Sequence, residues 1–225
     1  MSLIRENLIS AEEKAWQLFQ TVQDNGLITP GKTEKKLNEE IYKLAQDLFG
    51  IEKFWHKRIV RSGKNTLLPY NENPPDLIIR QDEILFFDFG PIFEEWEADI
   101  GKTYVIGNDP LKKKLASDVE AAWKEGQEWF SKKTSLTGAE FFAYAKQLAE
   151  KYDWEFGGEI AGHLVGKFPH EMGLSDGKFE LYIHPENHTN MFAPDKNDEK
   201  RNWILEIHFV NREKEIGGFF EQLLR

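Results

Sequence analysis

Residues 83–107 have the sequence EILFFDFGPIFEEWEADIGKTYVIG, and this stretch decides the fold. Its first part is an apolar run closed by Asp88, a pattern that predicts a strand buried on both faces. A second strand is predicted over residues 99–106, and the acidic residues between the two strands predict a connection. A carboxylate beside a buried strand must be paired or bound to a metal. Asp88 and Asp99 are therefore the first candidates for a functional site.

Helical periodicity precedes this hairpin twice and follows it twice. Thr33 and Gly50 are the expected N-cap and C-cap of the second helix. Helices are expected over residues 8–25, 33–50, 111–130 and 138–152, and further strands over residues 59–61, 203–210 and 219–223. Because the order helix, helix, strands occurs twice, we expect one α+β domain over residues 1–225, with pseudo-symmetric halves of about 1–108 and 109–225 and a cleft between them.

The composition excludes several classes of site and partner. The 225 residues include no cysteine, which excludes disulfides, thiolate nucleophiles, iron–sulfur clusters and cysteine zinc sites. A net charge of −10 and a pI near 5.2 argue against binding to nucleic acid. No apolar run is long enough for a membrane span, and residues 1–14 lack the features of a secretory signal. We therefore expect a cytoplasmic protein with no nucleic-acid or membrane partner.

Three more titratable residues lie in apolar or glycine-rich surroundings. Glu206 follows a Trp-Ile-Leu run, Glu221 follows Gly-Gly-Phe-Phe, and His163 lies between glycines. Taken singly, such a carboxylate is more often a strand-end cap, and such a histidine is more often structural. Together with Asp88 and Asp99 they form a set of four carboxylates and one imidazole. Four converging carboxylates repel one another, and two divalent cations would balance their charge.

Four segments resemble the pita-bread metallopeptidases, the family that includes methionine aminopeptidase, aminopeptidase P, prolidase and creatinase. Residues 88–107 resemble the first metal hairpin of that family, and residues 162–171 resemble its Gly-His…Gly…His-Glu motif. Residues 204–206 and 219–221 resemble its two glutamate strands. The resemblance covers nearly the whole chain. It implies the catalytic domain alone, with a curved antiparallel sheet around a central metal cleft.

The resemblance also implies a pair of divalent metal ions and the residues that hold them. Asp88 would bind one metal, Asp99 and Glu221 would bridge both, and His163 and Glu206 would complete the other. The implied nucleophile is a metal-bridging hydroxide. Mn, Co, Fe and Zn all suit this set of oxygen and imidazole ligands.

Three residues are candidates for catalytic roles on the same grounds. Glu206 would accept and return the proton of the attacking water, and His170 would stabilise the tetrahedral intermediate by a hydrogen bond. The loop over residues 62–70 resembles that of the Xaa-Pro peptidases, in which a histidine follows the proline. This chain has Tyr70 there, and tyrosine can position a substrate but does not titrate near neutral pH.

The substrate pocket is expected to include Glu159 and His208. Glu159 stands four residues before His163, where the Xaa-Pro relatives often have a second histidine. His208 shares a strand face with Glu206, so it could support the metal ligands, line the pocket or simply end the strand. His56 is expected to be a structural or loop residue.

Three functions are consistent with these features. The first is a dinuclear-metal exopeptidase, an aminopeptidase or dipeptidase that favours Xaa-Pro substrates. The second is a creatinase-like hydrolase of C–N bonds in a small molecule, and the third is a binding protein that keeps the fold without catalysis. The expected partner is a short peptide or a small amide-like substrate. The sequence is also compatible with a homodimer.

Overall fold

The computed structural model describes residues 2–68, 70–169 and 179–225, and these residues form one mixed α and β structure. The helices are α1 (Leu3–Asp24), α2 (Glu34–Phe49), α3 (Pro110–Ser131) and α4 (Gly138–Lys151). The strands are β1 (Ile59–Ser62), β2 (Glu83–Phe89), β3 (Ile92–Phe93), β4 (Trp96–Glu97), β5 (Ile100–Ile106), β6 (Glu155–Phe156), β7 (Ile204–Asn211) and β8 (Ile216–Leu223). No helix in the described ranges is long and apolar enough to cross a membrane.

Six of the strands form one antiparallel sheet in the order β1-β2-β5-β8-β7-β6, and β3 and β4 form a separate small hairpin. The pairing is extensive within β2–β5 and within β7–β8. Between these two pairs, β5 and β8 are joined by the single register pair Gly101 and Glu221. The Thr103 hydroxyl strengthens this junction, because it donates to the Phe219 carbonyl oxygen at 2.8 Å and accepts from the Phe219 amide at 2.7 Å.

The helix boundaries follow from capping residues. Ser2, Thr33 and Thr137 each accept a hydrogen bond from a backbone amide of the first turn, and Asp109 accepts two. Such caps satisfy amides that have no partner within the helix and contribute about 1 kcal/mol each. Gly50 ends α2 in the left-handed conformation at φ 64°, which costs glycine little. The expected caps at Thr33 and Gly50 are confirmed, and α1 begins earlier than expected because Ser2 caps it.

The helices cover one face of the sheet and leave the other for the site. On the covered face, Phe87 packs against Phe19 of α1 with ring centroids 5.5 Å apart, and Leu205 lies in the core with α3 and α4. Burial of one such side chain contributes about 1.5–3 kcal/mol. Side chains alternate along a strand, so Asp88 and Glu206 point to the opposite face. The packing of the apolar residues thus fixes the direction of the carboxylates.

The strand predicted from the apolar run that Asp88 closes is present as β2, whereas two other regions differ from expectation. The stretch between β2 and β5, predicted to be a connection, folds into the β3–β4 hairpin, with Glu94 at φ 60° in the turn. Strand β8 begins at Ile216 instead of residue 219. Its two glycines fit there because a Cβ at Gly217 would lie 2.2 Å from the Thr66 carbonyl oxygen, and one at Gly218 would touch α3.

Candidate metal centre

Four residues form a row across the sheet on the face away from the helices. Asp88 of β2 pairs with Gly101 of β5, Gly101 pairs with Glu221 of β8, and Glu221 pairs with Glu206 of β7. Residues that are paired in register project to the same face of a sheet. Gly101 has no side chain to place between the carboxylates, and a Cβ there would lie 2.3 Å from the Phe219 ring. The row therefore presents three carboxylates around an open position.

Asp99 and His163 complete the set that the sequence analysis assembled. Asp99 directly precedes β5, and His163 comes from a segment that forms a backbone bridge to the start of β7. His163 Nε2 lies 3.0 Å from Asp99 Oδ2, 3.5 Å from Glu221 Oε1 and 3.6 Å from Glu206 Oε1. Gly162 allows this approach, because at φ 136° a Cβ would lie 2.0 Å from a carbonyl oxygen of β7. All five sequence-predicted metal ligands line one cavity.

The structure adds a residue that sequence reasoning missed. His56, expected to be structural or in a loop, points its Nε2 atom at the site, 3.1 Å from Asp99 Oδ1 and 3.5 Å from Asp88 Oδ1. It lies in an irregular segment between α2 and β1, where no periodic pattern indicates which way a side chain points. The one sequence feature related to its position is Gly90, because a Cβ there would lie 2.4 Å from His56 Nε2.

Burial and mutual repulsion set the protonation of the carboxylates. Desolvation raises the pKa of Glu221 well above its usual value, and the nearby Asp99 and Glu206 raise it further. Burial likewise raises the pKa of Glu206 to about 8 and that of Asp88 to about 6. Asp99 is the exception. Burial favours its neutral form, but His56 and His163 together lower its pKa to about 2.

The two imidazoles respond to the same charges in the opposite direction. Burial alone would lower the pKa of His56, but Asp99 and Asp88 outweigh it and raise that pKa to about 9. The pKa of His163 is raised well above its usual value against the same burial, chiefly by its hydrogen bonds with Asp99 and Glu221. Without metal, both rings therefore serve as the cations of the cluster.

Divalent cations fit this arrangement of donors. Glu221 Oε2 is buried and has no hydrogen-bond partner among the described residues, so one carboxylate oxygen beside the cluster lacks a donor. Within the described ranges, two groups have ligand atoms that all lie within 4.8 Å of one another. One group is His56, Asp88 and Asp99, and the other is Asp99, His163 and Glu221. Asp99 belongs to both, as a carboxylate shared by two ions would.

A cavity of about 470 Å³ opens above these ligands. This volume lies in the range of sites for small organic ligands. Its apolar wall is formed by Ile59, Phe86 and Phe219, which pack together as a small buried cluster. Trp55 and Arg61 also line it. The cavity thus has carboxylates and imidazoles at its base and an apolar side wall.

The remaining predicted site residues also lie in this cavity where the structure describes them. Tyr70, Glu159 and His208 all line it, and Tyr70 stands at the mouth with 46% of its surface exposed. His208 is buried and directs Nε2 to the Thr66 carbonyl oxygen at 2.8 Å, and burial lowers its pKa to about 4. His170 lies outside the described residues, so its predicted role stays a prediction.

Comparison with known proteins agrees with this architecture. The profile of metallopeptidase family M24 matches residues 6–201. A curated Xaa-Pro dipeptidase from Pyrococcus horikoshii is 29% identical over 146 residues, which make up 64% of this chain and 40% of that protein. The solved Xaa-Pro dipeptidase from Bacillus anthracis has a TM-score of 0.78 at 19% identity, covering 99% of this chain and 57% of that one. The prolidase from Pyrococcus horikoshii has a TM-score of 0.74 at 23% identity, covering 97% and 58%.

At these identities the structural matches establish the fold alone, and they confirm the expected α+β pita-bread architecture. The chain spans less than two thirds of the length of these relatives, with 40% of the curated dipeptidase matched. The profile covers most of the chain and agrees with the motifs around the candidate metal centre. The chain belongs to metallopeptidase family M24.

Proposed function

We propose that this chain is a dinuclear-metal-dependent exopeptidase that hydrolyses short peptides next to proline. The observation that carries this proposal is the sharing of Asp99 between two groups of possible metal ligands beneath a cavity. The curated relative from Pyrococcus horikoshii described above is named a Xaa-Pro dipeptidase.

The residues that would hold the metals are the five predicted ligands, with Asp99 and Glu221 between the two positions. When bound, two divalent cations lower the pKa of a water molecule and polarise the carbonyl of the substrate. Glu206 is the residue that exchanges the proton. In the metal-free protein, burial raises the pKa of Glu206 to about 8, so this carboxyl accepts a proton readily. Its carboxylate also faces the cavity, where a leaving amine would need that proton.

The cavity walls suit a small apolar residue beside the cleaved bond. Ile59, Phe86 and Phe219 offer a surface that a proline ring can cover without losing hydrogen bonds. Arg61 adds a buried positive charge on the same side, and its guanidinium donates to the carbonyl oxygens of Leu68 and Glu72. A free C-terminal carboxylate would therefore be favoured in this cavity, which supports short peptides as substrates.

Tyr70 and Glu159 would serve to position the substrate. Tyr70 accepts a hydrogen bond from the Lys57 amide at 3.3 Å, and its ring lies 5.6 Å from that of His56. Burial raises the pKa of Tyr70, so the phenol stays a hydrogen-bond donor across the physiological range. Glu159 places a carboxylate in the same cavity, where it would attract the free amino group of a peptide.

The test is hydrolysis of a peptide panel by protein loaded separately with Mn, Co and Zn. The panel contains Xaa-Pro dipeptides, Xaa-Pro-Xaa tripeptides, the same peptides with alanine instead of proline, and peptides that begin with methionine. Products are identified by mass spectrometry. Asp99→Asn should abolish cleavage, and Asp47→Asn, the same substitution at an exposed position of α2, should leave it unchanged.

Cleavage confined to Xaa-Pro bonds, with loss in Asp99→Asn only, is the expected result. Cleavage of dipeptides but not of tripeptides would identify a dipeptidase. Release of small products from amidine or urea compounds, with no peptide cleaved, would replace the proposal by a C–N hydrolase. If metal is bound but none of these compounds is turned over, the chain would be a binding protein that keeps the fold without catalysis.

A further inference from the structure

The imidazole ring of His56 is held in place by close packing against Gly90 and Trp55. A Cβ at Gly90 would lie 2.3 Å from His56 Cδ2, so the glycine leaves the space that the imidazole fills. Trp55 packs edge-on against both imidazoles of the site, with centroids 4.3 Å from His56 and 5.2 Å from His163. Its indole nitrogen donates to the Ala98 carbonyl oxygen at 2.9 Å, which fixes the indole beside the site. These contacts fix the position of the imidazole beside the site.

The hydrogen bonds of His56 repeat those of His163. His56 Nδ1 lies 2.8 Å from the Lys57 carbonyl oxygen, and His163 Nδ1 lies 2.7 Å from the Leu164 carbonyl oxygen. A carbonyl oxygen can only accept, so in each neutral ring the hydrogen is on Nδ1 and the lone pair is on Nε2. Histidines that bind a metal through one ring nitrogen generally donate a hydrogen bond from the N–H of the other, here to a backbone carbonyl oxygen, which fixes the tautomer.

The two Nε2 atoms are directed at the two oxygens of one carboxylate. His56 Nε2 faces Asp99 Oδ1 at 3.1 Å, and His163 Nε2 faces Asp99 Oδ2 at 3.0 Å. A lone pair that faces a carboxylate oxygen is repelled unless a proton or a metal ion lies between or beside them. Asp99 is thus flanked by two equivalent imidazoles, one in each group of possible ligands.

We propose that His56 is a sixth metal ligand, through Nε2, at the ion held by Asp88 and Asp99. This inference rests on the proposed dinuclear centre and adds a residue to it. Each ion would then have one imidazole of its own: His56 beside Asp88 on one side, and His163 beside Glu206 on the other, with Glu221 between the two ions. Asp99 joins the two sets. An added imidazole shifts the preference of the Asp88-side ion away from magnesium and towards Mn, Fe, Co or Zn.

The alternative role is that of a hydrogen-bond donor that orients Asp99. His56→Gln separates the two, because the amide keeps a donor near Asp99 but is a poor ligand for these ions. The metal used is Co(II), whose unpaired electrons shift the ring N–H proton of each bound imidazole far from the normal NMR range. These signals exchange with solvent, so they disappear in D2O and identify bound histidines without any assay of turnover.

The measurement combines this spectrum with a Co(II) titration followed by calorimetry. The wild-type protein should bind two ions per chain and show two exchangeable shifted N–H signals. His56→Gln should show one such signal, and the affinity for one ion should fall by at least about 100-fold, beyond the roughly 10–100-fold typical of a residue that only supports a ligand. His163→Gln should lose the other signal. His188→Gln, an exposed histidine outside the site, should keep both.

Two shifted signals and unchanged affinity in His56→Gln would overturn the inference, while leaving the dinuclear centre intact. Failure of the wild-type protein to bind a second ion would overturn both the inference and the proposed centre. Failure of peptide hydrolysis with both signals present would count against the proposed function alone. Circular dichroism of each metal-free variant checks that the fold is retained.

Discussion

Glu206 lies directly opposite Glu221 in the antiparallel register of β7 and β8. Like charges at directly opposite positions destabilise a sheet, and one oxygen of Glu221 has no hydrogen-bond partner in the described part of the chain. We expect Glu221→Gln to stabilise the metal-free protein by about 0.5–2 kcal/mol, a gain typical of relieving strain at a functional site, and to weaken metal binding. Urea unfolding in the presence of a chelator measures the first effect, and metal titration measures the second.

The stabilisation by Glu221→Gln should depend on pH in a defined direction. Burial raises the pKa of Glu221 in the folded state, so the penalty for its charge is absent below the unfolded value of about 4.5 and grows as the pH rises above it. The gain should therefore be small at pH 4 and larger at pH 8. Glu213→Gln, at an exposed position, should show no such trend. A gain that is largest at acid pH would contradict this account of the site.

Metal removal should lower the stability of the wild-type protein. A ligand that binds only the folded state at 100 times its Kd contributes about 2.7 kcal/mol. We expect a clear rise in the melting temperature when Mn or Co is added to protein stripped with a chelator. Asp99→Asn should show no rise, since it removes charge from the carboxylate that both groups share. An equal rise in Asp99→Asn would place the bound ions elsewhere.

Thr103→Val should weaken both the sheet and the metal centre. The Thr103 hydroxyl makes two hydrogen bonds to the backbone of Phe219, beside the single register pair that joins β5 to β8. Valine has nearly the same shape but leaves the Phe219 amide and carbonyl buried without these partners, at a cost of about 1–3 kcal/mol. Chemical denaturation measures the loss, and calorimetry should show weaker metal binding. The exposed Thr134→Val is the control, and equal effects in both variants would refute the role of the junction.

His208 should make the folded state sensitive to acid. Burial lowers its pKa from 6.5 to about 4, so the unfolded chain takes up this proton first as the pH falls. Its contribution is complete above pH 6.5 and is lost progressively towards pH 4, by roughly 3 kcal/mol in all. His208→Gln keeps a donor for the Thr66 carbonyl oxygen and removes the titration. Unfolding free energies at pH 4.5 and pH 7 should therefore differ less in the variant than in the wild type. A pH dependence identical in both proteins would exclude His208 as its source.

The strand positions of the site could be predicted because alternation and burial specify them. An apolar run fixes the direction of the neighbouring carboxylate, so Asp88 and Glu206 were placed by the same pattern that builds the core. In the irregular segments no periodic pattern indicates the direction of a side chain. The sequence predicts only a structural or loop role for His56, because its direction depends on Trp55 and on the space left at Gly90, contacts that only the folded chain contains. The β3–β4 hairpin was missed for a related reason, since two-residue strands are too short to show a period.

The single register pair between β5 and β8 also determines when the site can exist during folding. Asp88 and Asp99 belong to one side of that junction, and His163, Glu206 and Glu221 belong to the other. The contacts that join them are distant in sequence, and such contacts form late because their loop closure is entropically costly. A nascent or half-folded chain therefore presents two separate and incomplete sets of ligands. A pair of ions bound as proposed would therefore require a completed fold.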